Sequence, residues 1–172
     1  GVFDLGASTP AADVIVNNGA LETSGAGARS IGDLTLAGGA LRLGGAGAGS
    51  LATKDLTLKA GTIAMDLREG ALPNDRLEVA GTVAMEGPVE LTISLGLDPQ
   101  DFVDVFRVVV NDGADPTTLL GSNARFIFNG SALEDGQPFL VSDGGISQFF
   151  VLRYGLAPDD NDIRLVAIPE PG

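Results

Sequence analysis

The chain has 172 residues, 44% of them hydrophobic but only 5% aromatic, with 23 acidic and 10 basic side chains and a formal net charge of −13. With no cluster of Lys or Arg to offset it, that charge repels phosphate backbones and anionic headgroups, which excludes nucleic acid and a direct membrane-surface role. Cysteine and histidine are absent, so disulfides and thiolate metal sites are unavailable, and no apolar run is long enough for a membrane-spanning helix, so the mature chain is expected to have no transmembrane segment.

The sequence starts at Gly1 without an initiator Met, as a processed or trimmed chain would. Its first stretch, "GVFDLGAS", holds Val2, Phe3 and Leu5, an apolar segment with no counterpart in the later repeats. It is expected either to dock on a neighbouring subunit, joining subunits head to tail, or to fold back over the chain's own first strands.

From Asp13 a pattern recurs: "DVIVNNGALET", "DLTLAGGALRL" from Asp33, "DLTLKAGTIAM" from Asp55 and the shorter "RLEVAGTVAM" from Arg76. Val14, Leu34, Leu56 and Leu77 read as equivalent, at spacings of 20, 22 and 21 residues. Apolar residues alternate within each copy, which places them on one face of a strand. Two short strands bury too little to offset the entropy of ordering them, so copies must stack. The Gly/Ala/Ser links "TSGAGARSIG" and "GGAGAGSLATK" then become corners. Residues 1–88 are expected to form a right-handed parallel β-helix of about four short coils.

After Pro88 the repeat stops. "VELTISLGL", "DVFRVVV", "ARFIFNG", "PFLVSD", "QFFVLRYG" and "NDIRLVAI" alternate with turn-rich pieces, and seven of the eight Phe and the only Tyr fall here. The expected fold is therefore all-β, with residues 89–168 forming a mostly antiparallel region that caps the last coil.

The repeats resemble the autotransporter-associated β-strand repeats of bacterial surface proteins. The order Asn111-Asp112-Gly113, Ala124-Arg125-Phe126, Leu133 to Phe139 (L-x-x-G-x-x-F), Tyr154 and Asp159-Asp160-Asn161-Asp162 is similar to the C-terminal part of exported proteins that carry such repeats. Pro169-Glu170-Pro171 is similar to the head of the PEP-CTERM sorting signal, making 169–172 the stub of that signal. The resemblance implies export to the surface or extracellular matrix of a bacterium, with an exosortase as partner during processing.

For chemistry, the chain offers no His, no Cys and no G-x-S-x-G, and no ladder of carboxylates at matching positions. Asp13, Asp33 and Asp55 come closest, with Arg76 breaking the series, and turn formation accounts for them. An enzyme is not expected, and no cofactor is required. A calcium site at Asp159, Asp160, Asn161 and Asp162 is the sharper idea, against a plain solvated turn. "NGS" at Asn129 reads as a hairpin turn rather than a glycosylation site. The expected function is structural: a homo-oligomer or head-to-tail homopolymer forming a filament or biofilm matrix, with exopolysaccharide as a further partner. The alternative is an extracellular carbohydrate-binding or carbohydrate-processing β-helix module.

Overall fold

The computed structural model describes residues 1–5, 12–24, 27–44, 49–67, 74–96 and 105–172. These contain strands and no helix, so the chain is all-β. In chain order the first strands are β1 (Val2–Asp4), β2 (Val14–Val16), β3 (Ala20–Glu22), β4 (Gly27–Ser30), β5 (Leu34–Arg42), β6 (Gly49–Thr53), β7 (Leu56–Leu67), β8 (Arg76–Val79) and β9 (Val83–Met85). They are followed by β10 (Val89–Leu95), β11 (Val105–Asn111), β12 (Thr118–Leu119), β13 (Phe126–Phe128), β14 (Ser131–Ala132), β15 (Pro138–Asp143), β16 (Ile146–Arg153) and β17 (Ile163–Ile168).

Two mixed sheets result. The first has the order β1-β3-β5-β7-β10-β13-β14, with β2 beside β5 and β9 between β7 and β12. The second has the order β15-β16-β17-β11-β8-β6-β4. From β2 to β13 the chain alternates between the sheets, and each strand lies parallel to its counterpart one pass earlier.

The alternation read from the sequence sets the register. In a parallel ladder, residues in register point to the same side, so equal residues stack. Val16, Leu36, Leu58, Met85 and Leu119 form one inward column. Leu21, Leu41, Ile63 and Leu91 form a second, and Leu51, Leu77 and Val109 a third from the other sheet. Almost all of these are fully buried, in one continuous core. At roughly 1.5–3 kcal/mol for each buried aliphatic side chain, the columns are the main stabilising term. The repeat's glycine has a steric cause: Gly39 (φ +69°) and Gly61 (φ +111°) stack at a bend, and a Cβ on Gly61 would lie 2.6 Å from the Gly39 carbonyl oxygen.

Two expectations need correction. The fourth repeat copy is out of register: Leu56 pairs with Val83, not Leu77, while Leu77 pairs with Leu51 in the other sheet. Ala80-Gly81 is a corner stacked on Thr53-Lys54, with the Ala80 and Gly81 N–H groups donating to the Thr53 and Lys54 carbonyls at 3.1 and 2.7 Å. The true copy is "TVAMEGPVEL" from Thr82, whose apolar alternation mimics that of "RLEVAGTVAM". The second correction concerns the boundary at residue 88, because β10 to β13 still pair parallel to earlier strands. Among the described strands, antiparallel pairing is confined to β14 on β13 and to β17, β16 and β15 beyond β11.

Truncating an inward column should therefore cost far more than truncating an outward one. Leu58→Ala is expected to lose about 2–5 kcal/mol, and Thr57→Ala, its outward neighbour, less than about 0.5–1 kcal/mol. Urea midpoints at unchanged m-value would test this.

Candidate functional site

The apolar segment at the N-terminus folds back on its own chain. β1 lies parallel to β3, with Phe3 in register with Leu21, the Asp4 carboxylate accepting the Ser24 N–H at 3.0 Å, and Leu5 buried, its N–H donating to the Glu22 carbonyl at 2.9 Å. Leu5 is thus a core residue rather than an assembly contact. Val2 and Phe3 are 62% and 60% exposed, since Phe3 ends the column of Leu21, Leu41, Ile63 and Leu91.

Two further residues shape this end. Ile15, 64% exposed, stands in the outward column of Thr35, Thr57, Ala84 and Thr118. Arg29 occupies the β4 position in register with Leu51, where its guanidinium donates to the Ser24 carbonyl at 3.2 Å. An arginine at the head of an aliphatic column opposes further stacking, because burying it there would desolvate a charge. The end of the molecule therefore presents apolar side chains over the first sheet and an arginine over the second. Both residues were legible as departures from pattern, a large apolar side chain where later passes have Thr or Ala, and a charge where later passes have Leu or Val.

The corner aspartates do form a ladder, contrary to expectation, and its fourth member is Thr82 rather than Arg76. The Asp13 carboxylate accepts the Asp33 N–H at 2.9 Å, and Asp55 accepts the Thr82 N–H at 2.7 Å and its hydroxyl at 2.9 Å. Thr82's backbone N–H and hydroxyl, with a smaller contribution from Lys54, hold the Asp55 carboxyl below its ordinary pKa, against the opposing effect of burial. Asp33 Oδ1 is buried with no hydrogen-bond partner among the described residues.

At the C-terminal end, Asp159, Asp160, Asn161 and Asp162 are not gathered about a common point. Asp160 forms a two-pronged ion pair with Arg164. Asp162 pairs with Arg107 at 2.7 Å and accepts the Asn111 N–H at 2.9 Å. The Asn161 amide donates to the Gly113 carbonyl at 2.5 Å. Among the described residues no three acidic side chains are grouped to hold a metal ion. The four residues expected to hold calcium instead take part in a lock in which this turn closes on the Asn111-Asp112-Gly113 turn through Asn161 and Asp162. Guanidinium groups take the place a cation would need. Arg107, Arg164 and Arg153 lie side by side across β11, β17 and β16, and each is answered by a carboxylate, that of Arg153 being Asp135 at 3.1 Å.

The remaining elements of the C-terminal resemblance also converge. Tyr154 is fully buried; its hydroxyl accepts the Phe126 N–H and donates to the Leu133 carbonyl, both at 2.7 Å. Its ring stacks on Phe126 at 6.0 Å, and its own N–H donates to Asp135 at 2.9 Å. Gly136 donates to the Leu152 carbonyl at 2.8 Å, and Phe139 packs 5.2 Å from Phe128. Burial pushes the Tyr154 phenol up to about 12. Pro169, Glu170 and Pro171 lie beyond the last strand and are exposed. Asn129, the expected hairpin turn, has φ +49° between β13 and β14.

No helix among the described residues is long and apolar enough to cross a membrane. Neither a family model nor a curated protein matches the sequence.

Tyr154→Phe strands the Phe126 N–H and the Leu133 carbonyl, an expected cost of about 1–3 kcal/mol. The folded-state pKa of about 12 lies above an unfolded value of about 10. Tyr154 thus supports the fold fully below the lower value and loses that support as pH rises through the higher one. Denaturant midpoints of wild type and Tyr154→Phe at pH about 9 and about 11.5 should converge as pH rises; a constant difference would contradict this.

Proposed function

We propose that this chain is a non-catalytic structural protein of a bacterial surface or extracellular matrix, built as a right-handed parallel β-helix with an antiparallel cap. Subunits join head to tail through the first sheet. One observation carries this reading: the column Ile15, Thr35, Thr57, Ala84 and Thr118 ends, on each side, on a strand that has no outer ladder partner among the described residues. Beside β12 the Thr117 N–H donates to the Gly155 carbonyl at 2.8 Å, which leaves only the Leu119 end of that edge free to pair. Among the described residues β2 pairs only with β5, and β12 only with β9. Setting β2 of one subunit on β12 of the next would continue the same parallel register, with Val16 following Leu119 on the inward side. Exposed apolar residues stand at both ends of this path, Ile15 at 64% and Leu120 at 52%.

The second sheet cannot join in the same way. Arg29 heads its ladder, and β17 covers β11. The joint is therefore narrow, and with a net charge of −13 per subunit it forms only when salt screens the repulsion. Export to the cell surface, the sorting stub and handling by an exosortase rest on the C-terminal resemblance, supported by an exposed Pro169-Glu170-Pro171 that a processing enzyme could reach.

Electron microscopy and sedimentation at low and high salt test the reading. Polymers should grow with ionic strength and be lost in Ile15→Asp, whose fold is unaffected because the side chain points outward. A monomer at every salt concentration, or unimpaired polymers in Ile15→Asp, would contradict it.

A further inference from the structure

The outer face of the antiparallel strands carries a groove that neither the core nor the proposed joint uses. It has a volume of about 350 Å³ and is lined by Leu140, Ser147, Gln148, Phe149, Ile168 and Glu170. Register makes its floor. Leu140, Phe149 and Ile168 lie side by side on β15, β16 and β17, and Leu140 is 45% exposed. This leaves a flat apolar strip with a partly exposed aromatic ring at its centre. The Gln148 amide donates to the Ile168 and Phe149 carbonyls at 2.6 and 3.1 Å, which ties the end of β17 to β16 at the wall. The rim is polar, with the Ser147 hydroxyl 2.8 Å from that of Ser142 on one side and the Glu170 carboxylate on the other.

An apolar floor with hydroxyl and carboxylate groups at its edge suits a ligand that is apolar on one face and hydroxylated around its rim, as a pyranose ring is. Charge narrows the class. The arginines of this face are each answered by a carboxylate, Glu170 adds negative charge, and the chain carries −13 overall, so uronate- or sulfate-bearing polymers are repelled. Neighbouring strands are about 4.8 Å apart, so a linear chain lying across β15, β16 and β17 meets a new side chain about once per sugar unit. We propose that this groove binds a neutral glycan, one ring stacking on Phe149 while Glu170 accepts hydrogen bonds from its hydroxyls.

The test is to screen the full chain against an array of neutral and anionic oligosaccharides and to titrate the best binders into isotope-labelled protein. Binding confined to neutral glycans is expected, with the largest NMR shifts at Leu140, Ser147, Phe149 and Glu170. Phe149→Ala should weaken binding about ten-fold and Glu170→Gln about three-fold. Leu140→Ser, at the exposed edge, guards against a fold defect in Phe149→Ala and should also weaken binding. Thr57→Ala, an outward residue in the middle of the ladder and outside the groove, should leave glycan binding unchanged. No bound neutral glycan, a preference for anionic ones, or shifts away from the groove would overturn the proposal. So would shifts at these residues that depend on protein concentration alone, which would assign the groove to a second copy.

Discussion

Everything in this molecule depends on aliphatic side chains stacking in register between successive passes of the chain. A strand such as Val14–Val16 or Val83–Met85 is too short to hold itself together. It becomes stable because its inward residues extend columns begun by the passes beside it, and because its backbone completes their hydrogen-bond ladder. The corners follow from that constraint. Chains a strand's width apart leave no space for side chains where they bend, hence the stacked glycines at Gly39 and Gly61. At two of the corners an aspartate takes the backbone N–H of the next pass, Asp13 that of Asp33 and Asp55 that of Thr82.

Stacked columns must also end, and the two ends are treated differently. At the C-terminal end the chain reverses direction. β14 covers β13, and β17, β16 and β15 extend the second sheet antiparallel from β11. The Tyr154 hydroxyl, bridging Phe126 and Leu133, and the lock between the Asn111 and Asp162 turns hold that region in place. At the N-terminal end one column stops on an exposed Phe3 and another on Arg29. The aliphatic interior is generic, so any partner must be read at these ends or on the outer faces.

Much of this was legible in the sequence. Alternation identified the strands, their inward faces and the register of three copies, because side-chain direction has a fixed period of two. It failed at the fourth copy because alternation reports which face a residue occupies but not which sheet it joins. Both "RLEV" and "TVAM" satisfy it, and the deciding contacts, Ala80 and Gly81 on Thr53 and Lys54, are long-range. Counting Arg76 into the series also hid the aspartate ladder. The Asp159 to Asp162 turn carried calcium-like composition, but its partners Arg107 and Arg164 lie on separate strands. The C-terminal pattern of Asn-Asp-Gly, Phe126, Leu133, Gly136 and Tyr154 was visible only as an order of residues. In space it resolves into two contacts, the Tyr154 bridge between Phe126 and Leu133 and the lock between the Asn111 and Asp162 turns.

The register of the fourth pass tests the stacking account most directly. The chain has no native cysteine, so introduced pairs report cleanly. Thr57 pairs with Ala84 in the ladder, and both point outward. Neighbouring Cα atoms on paired strands, about 4.8 Å apart, fall within disulfide range. The double variant Thr57→Cys with Ala84→Cys should cross-link rapidly on mild oxidation without loss of stability, whereas Thr57→Cys with Glu78→Cys should not. Faster cross-linking of the second double variant than of the first would place Leu77 beside Leu56 and contradict the account.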